Sequence, residues 1–138
     1  MSEASLAAQK LARQSMLARP ALLALVDGQS IFDRHSRPEI WPCIVLGEAQ
    51  VVDDSADCVD GSDVYLTIHV WTKEDSFVQC KSIAGEVRRA MRDVTGLVDG
   101  FDLVFDFEDA RYLRDPSGEH SHGVLTFHAI AEDTVGIL

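Results

Sequence analysis

The sequence is short of basic residues, of cysteine and of long apolar runs. Lys and Arg number 12 against 23 Asp and Glu, so the formal net charge is −11. A chain with this charge repels phosphate groups, which disfavours tight binding to nucleic acid. The three cysteines include no C-x-x-C pair, so we expect neither a disulfide framework nor a cysteine-based zinc site.

Signals for a membrane or for export are also missing. No apolar stretch approaches the roughly 20 residues that cross a bilayer. The N-terminal segment carries Lys10 and Arg13 within an Ala/Leu pattern and is not followed by an unbroken apolar run. We therefore expect no membrane partner, and a chain that stays in the cytosol where it is made.

Catalytic and cofactor motifs are absent as well. There is no G-x-S-x-G, no G-x-x-x-x-G-K-[ST] and no G-x-G-x-x-G. His120 and His122 could be joined with His128 or His69 into a metal site, but no known ligand spacing connects them. We expect no catalytic residue, no cofactor and no metal. Cys43 and Cys80 fall inside apolar patterns, so we expect both to be buried.

What is present fits one globular domain of 138 residues. Apolar residues make up 46% and charged residues 25% of the chain, which are ordinary values for a folded soluble protein. A chain of this length can hold a core without metals or disulfides. We expect a single domain over 1–138, with N-terminal helices at about 4–26, a sheet and helix core at about 31–132 and an apolar tail at 133–138.

Three segments have the apolar spacing of helices: 4–18, a short segment that starts at Pro20, and 76–94. In the last of these, the apolar residues fall on one stripe and basic residues occupy the other side. Asp75 or Ser76 is the expected N-cap, and Gly96 is expected to mark the end of the helix.

Alternating patterns predict five strands, and the segments between them are polar. Gln50–Asp63 and Arg34–Trp41 are expected to be connections, and a bulge is expected near Glu108–Ala110. The predicted strands are Ile31–Phe32, Cys43–Leu46, Asp63–Thr72, Phe101–Arg114 and His122–Glu132. Clustered strands with short connections indicate an α+β fold, with a mostly antiparallel or mixed sheet and the main helix packed on one face.

The segment Asp63–Thr72 predicts which residues meet in the core. Alternate positions of this strand should face the helix that follows, because the connection between them is short. The facing set is Val64, Leu66, Ile68 and Val70 on the strand with Ile83, Val87 and Met91 on the helix. The opposite face carries Tyr65, Thr67, His69 and Trp71.

Several blocks of the sequence resemble, in order and spacing, the tail-completion (tail-terminator) proteins of long-tailed bacteriophages and gene transfer agents. The resemblance covers about residues 20–132. It is carried by Leu22–Asp33, Pro42–Gly47, Asp63–Thr72 with its Val70-Trp71-Thr72 ending, Ile83-Ala84 with Val87 and Ala90-Met91, and Gly118 with His122–Phe127.

The resemblance implies a structural protein of a virion or phage-like particle tail. Such proteins form a ring, typically of six copies, at the head-proximal end of the tail tube. The ring stops tube polymerisation and presents a surface to the head connector, and DNA passes through its lumen. The implied partners are further copies of the chain, the tail tube protein and a head connector or stopper protein.

This hypothesis suggests roles for two groups of residues. Tyr65, His69 and Trp71 are the candidate subunit interface, because they add aromatic surface to one sheet face. An exposed edge strand at Pro42–Leu46 could pair with a neighbouring subunit. The acidic residues are expected in a loop near the lumen or on a ring face, because burying like charges without basic partners would be costly. These residues are Asp53, Asp54, Asp57 and Asp60.

Two other functions stay open from the sequence. The chain could be a different head–tail component, such as an adaptor or stopper. It could also be a small cytosolic enzyme or ligand-binding domain that uses the region of His120, His122 and His128. A ring assembly favours a head–tail role, whereas a concave pocket with converging histidines favours the ligand-binding role.

Overall fold

A computed structural model describes residues 3–33, 40–74 and 76–135 of the chain. Its helices are α1 (Ala4–Leu17), α2 (Pro20–Leu23) and α3 (Val78–Ala90), with a 3₁₀ turn at Gly28–Ser30. Helix α1 begins where the Glu3 carboxylate accepts the N–H groups of Ser5 and Leu6. No helix in these ranges is long and apolar enough to cross a membrane.

Six strands form one sheet, in the order β1-β2-β3-β6-β5-β4. Strands β1 and β2 are parallel, and every other neighbouring pair is antiparallel. The α+β fold with a mixed sheet that the sequence predicts is therefore confirmed. The strands are β1 (Ile31–Phe32), β2 (Cys43–Asp53), β3 (Asp60–Thr72), β4 (Thr95–Val98), β5 (Phe101–Arg114) and β6 (Ser121–Asp133).

Helices α1 and α3 cover one face of the sheet, here called the inner face, and the opposite face is the outer face. The four inner residues of β3 are completely buried and share one core with Ile83, Val87 and Met91 of the α3 segment, as expected. Helix α1 joins the same core, mostly with alanines. Its buried residues are Ala4, Ala7, Ala8, Leu11, Ala12 and Met16.

The helix at α3 is shorter than predicted, and a strand follows it. Its N-cap is Phe77, and Ser76 contributes only a 3.2 Å contact from the Val78 N–H to its hydroxyl. Asp75 lies outside the described residues. Gly96 does not simply end the helix but lies within β4, which the sequence does not predict. The physical reason is that a four-residue strand is held by its pairing with β5, not by its own pattern.

The predicted connection Gln50–Asp63 is also wrong in part. Residues 50–53 belong to β2 and 60–63 belong to β3, so only 54–59 form the turn of a long hairpin. The ladder of cross-strand hydrogen bonds extends the hairpin despite its polar composition. Of the predicted connection Arg34–Trp41, residues 34–39 lie outside the described ranges.

The segment Pro42–Leu46, which the sequence predicts as an exposed edge strand, is not a free edge of the sheet. Cys43–Leu46 is buried, and Ile44 and Val45 pair with β1. Strand β1 stops there, so residues 47–53 of β2 have a described strand on one side only, namely β3. The predicted bulge in β5 is confirmed, because its register with β6 shifts between Phe107 and Asp109.

Candidate interaction surfaces

The outer face carries a row of histidine and aromatic side chains, here called the histidine ladder. The sheet register builds it, because cross-strand partners in an antiparallel pair project from the same face. Trp71 of β3 lies opposite His122 of β6, and Tyr65 lies opposite His128. The complete ladder consists of Trp41, Tyr65, His69, Trp71, His120, His122 and His128.

Neighbouring rings of the ladder contact one another, and several pairs are stacked. The His122 ring lies 3.8 Å from the Trp71 ring centre at an interplanar angle of 10°, and 4.9 Å from the His69 ring. Trp41 contacts Trp71 edge-on at 6.1 Å and stacks on His120 at 4.2 Å. These contacts leave Trp71 and His69 half-buried, so part of the aromatic surface that the sequence suggests is already covered within the chain.

A short hydrogen-bonded chain connects the ladder to β2. His69 Nε2 lies 2.6 Å from a Glu48 carboxylate oxygen, and His69 Nδ1 lies 2.7 Å from His122 Nε2. The carboxylate can only accept, so His69 Nε2 is the donor. This hydrogen bond lowers the pKa of Glu48. Burial, followed by the neighbouring His69, lowers the pKa of His122 to about 4.

Gly47 is required where β2 passes the hydrogen-bonded side chains of Glu48, His69 and His122. A Cβ at Gly47 would lie 2.6 Å from His69 Cδ2 and 2.7 Å from His69 Nε2. The absence of a side chain therefore allows the imidazole to lie against β2 and to reach Glu48. The register of β2 against β3 shifts at this point, between Leu46 and Ala49.

The other end of the ladder is an acid–histidine pair. His128 Nε2 lies 2.7 Å from a carboxylate oxygen of Asp63, and His128 Nδ1 lies 3.9 Å from one of Asp106. Tyr65 covers the His128 ring at 5.1 Å. Beyond this pair, Val104 and Ile130 lie opposite each other on the outer face and are 43% and 48% exposed. The outer face is therefore partly apolar, with carboxylates beside it.

In the described ranges, no group of three or more His, Cys, Asp or Glu side chains is placed to hold a metal ion. His69 uses both ring nitrogens on protein groups, and His120 is 3.4 Å from Asp115. Cys43 and Cys80 are buried, as expected, and burial raises the pKa of each thiol to about 11. Both thiols are therefore protonated at neutral pH.

The second surface is the end of the β2–β3 hairpin, residues 48–60, here called the acidic arm. Every residue of the arm is exposed. Its turn contains Cys58 with a φ of 65° and a bridge between Ala56 and Val59. The four predicted acidic residues Asp53, Asp54, Asp57 and Asp60 all lie on this arm.

The sequence does not predict the partners of Tyr65, His69 and Trp71 in the ladder. These partners follow from the register between β3 and β6, which is a long-range property. Alternation along β6 does place His122 and His128 on the outer face, and that is the signal that could have found them. Glu48 carries no comparable signal, because it lies at the bulge of β2.

A comparison with protein families places the chain among the structural proteins of bacteriophage tails. The family whose profile matches is described as "Tail completion protein gp17"; the match covers residues 12–132, and the chain belongs to this family. A comparison with curated proteins gives no match.

Solved structures of related proteins have the same fold. A chain in the structure titled "Virion of native gene transfer agent (GTA) particle" is 25% identical with a TM-score of 0.85, and the similarity covers 96% of this chain and 99% of that one. The gp17 protein of bacteriophage SPP1 is 19% identical with a TM-score of 0.65, covering 96% of this chain and 94% of that protein.

Proposed function

We propose that this chain closes the head-proximal end of a phage-like tail tube as a ring, stops tube polymerisation and joins the tail to the head connector. The observation that carries this proposal is the family match over residues 12–132, together with the likeness to a chain of a gene transfer agent virion along nearly the whole of both chains. The ring, of six copies, contacts the tail tube protein below and a head connector or stopper protein above.

The outer face contributes to contacts in this ring. Tyr65, His69 and Trp71 form a partly exposed aromatic surface on one sheet face, and the exposed apolar pair Val104 and Ile130 lies on the same face. Half-buried aromatic side chains are typical of protein contacts, because they add large area with few rotatable bonds to fix.

The charge of the chain suits a passage for DNA. The arm residues Asp53, Asp54, Asp57 and Asp60, which are exposed in the single chain, lie near the lumen or on a ring face. A negative surface beside DNA disfavours phosphate binding, so DNA moves past the ring without being held. The role is structural and involves no catalysis, which agrees with histidines that bind neighbouring side chains instead of facing a pocket.

The test is to make particles without this chain and to examine their tails by electron microscopy. We expect tails of abnormal length that are not joined to heads, and recovery of normal particles when the chain is supplied from a plasmid. Tails of normal length joined to filled heads would contradict the proposal. Normal tail length with unjoined heads would instead indicate an adaptor or stopper.

A further inference from the structure

A groove lies between the C-terminal end of α3 and strand β5. Its volume is about 170 Å³, and buried apolar side chains form part of its lining while the exposed Arg88 and Arg92 stand beside them. The Arg88 guanidinium lies 4.0 Å from the centre of the Phe107 ring. The remaining lining residues are Met91, Asp93, Phe105, Asp106 and Phe127.

Further basic groups extend this region into what we call the basic flank: Lys81, Arg88, Arg92 and Arg114. Lys81 lies over Phe77 at 5.3 Å and over Tyr112 at 5.2 Å, and Arg114 lies 4.4 Å from the Phe77 ring centre. Within the described ranges, Lys81, Arg88 and Arg92 form no ion pair with a carboxylate. In a chain of net charge −11, these basic groups lie together on one side, and the groove beside them also contains Asp93 and Asp106.

The acidic arm has the opposite character. Residues 38–72 contain seven Asp and Glu but no Lys or Arg, and five of the seven, Glu48, Asp53, Asp54, Asp57 and Asp60, lie on the arm. The arm also exposes valines, with Val51 at 43% and Val52 at 42%. The arm and the basic flank therefore match in chemistry, because each combines apolar side chains with charged ones. The arm is acidic, whereas the flank contributes four basic groups against Asp93 and Asp106 of the groove.

The two surfaces lie on different sides of the subunit. The arm extends from β2 and β3, and β2 is separated from β5 by β3 and β6. In the described structure, no ion pair connects the arm of a chain to its own basic flank. A head-to-tail contact uses two different surfaces of each copy, and it closes into a ring when repeated by rotation.

We propose that the acidic arm of one copy docks on the basic flank of the next copy around the ring, with arm carboxylates beside Arg88 and Arg92 and arm valines over the groove. This inference rests on the proposed ring. It places the arm on a face of the ring and not at the lumen. A cluster of carboxylates is costly to desolvate unless basic groups pair with it, and the basic flank supplies these groups. Opposite charges also favour the correct register between subunits.

A charge exchange in assembled particles tests the contact. One variant carries Asp53→Lys with Asp54→Lys, and the other carries Arg88→Asp with Arg92→Asp. Each variant alone should lower the yield of joined particles by at least tenfold. Produced together they should restore it, because a reversed arm then meets a reversed flank in an alternating ring. Normal yield from each variant alone, or no recovery from the mixture, would overturn the inference.

Cross-linking gives a second, independent readout. Cys58 is exposed at the arm tip, and a disulfide forms only when two Cα atoms come within about 7 Å. Oxidised particles with Arg88→Cys or Arg92→Cys should contain covalent multimers, which Cys58→Ser abolishes. Val78→Cys, at the other end of α3, is the control and should give none.

Absence of multimers from both cysteine variants, or equal multimers from the control, would count against the docking. Either failure leaves the proposed function standing if the wild-type chain still forms a ring at the tube end. If the wild-type chain is missing from that position, the proposed function fails as well.

Discussion

Replacing Ile68 by alanine tests the packing on which the sheet and its outer face depend. The Ile68 side chain is 0% exposed on the inner face of β3, and Leu46 and Leu125 lie directly opposite it on the two neighbouring strands. Neither neighbouring strand can move in without breaking its ladder, so the cavity stays largely open. We expect Ile68→Ala to lower the free energy of unfolding by about 3 kcal/mol, within the range of 2–5 kcal/mol for such truncations.

The assay is urea unfolding of the purified chain, followed by the fluorescence of Trp41 and Trp71. The midpoint should fall while the slope stays unchanged, because the surface exposed on unfolding is the same. Val78→Ala is the matched control: Val78 is 73% exposed on α3, so its truncation should change stability by less than about 0.5 kcal/mol. Equal small effects of both substitutions would refute the assignment of Ile68 to the core.

Three further outcomes follow from the structure. Gly47→Ala should destabilise the chain by about 1–3 kcal/mol in urea unfolding, because the new Cβ would overlap the His69 ring; unchanged stability would show that the ring is not held against β2. Stability should fall as the pH drops from 6.5 toward 4, because folding lowers the pKa of His122 to about 4, and His122→Gln should weaken this dependence in thermal melts; an identical pH dependence in the variant would contradict it. One thiol of the native chain, that of Cys58, should react rapidly with a disulfide reagent at pH 8 while the two buried thiols react only after unfolding; fast reaction of all three would contradict their burial.

The elements that the sequence predicts well are those encoded by local periodicity. The helical pattern at 4–18 and the alternation in β3 and β6 each identify an element without knowledge of the partner, and in β3 the alternation also identifies the buried face. Strand β4 and the acidic arm lack such a pattern. Gly96 resembles a helix stop, and the arm is rich in Asp. Strand β4 and the two strand ends within the arm form only through hydrogen bonds to a neighbour.

The candidate surfaces are likewise predicted from local periodicity only in part. Alternation is enough to select Tyr65, His69 and Trp71 as residues of one face. Their ring contacts with His122 and His128 depend on the register between β3 and β6. The paired residues of these two strands are more than fifty positions apart in the sequence. The basic flank also joins α3 to the far half of β5. Contacts of this kind depend on topology, so composition and spacing do not reveal them.

The most direct test of the central claim is an electron cryomicroscopy map of the assembled particle that carries this chain. We predict that density for the chain forms a closed ring at the end of the tail tube that faces the head, between the tube and the connector. Density for the chain in the capsid or the baseplate, or its absence from complete particles, would contradict the account.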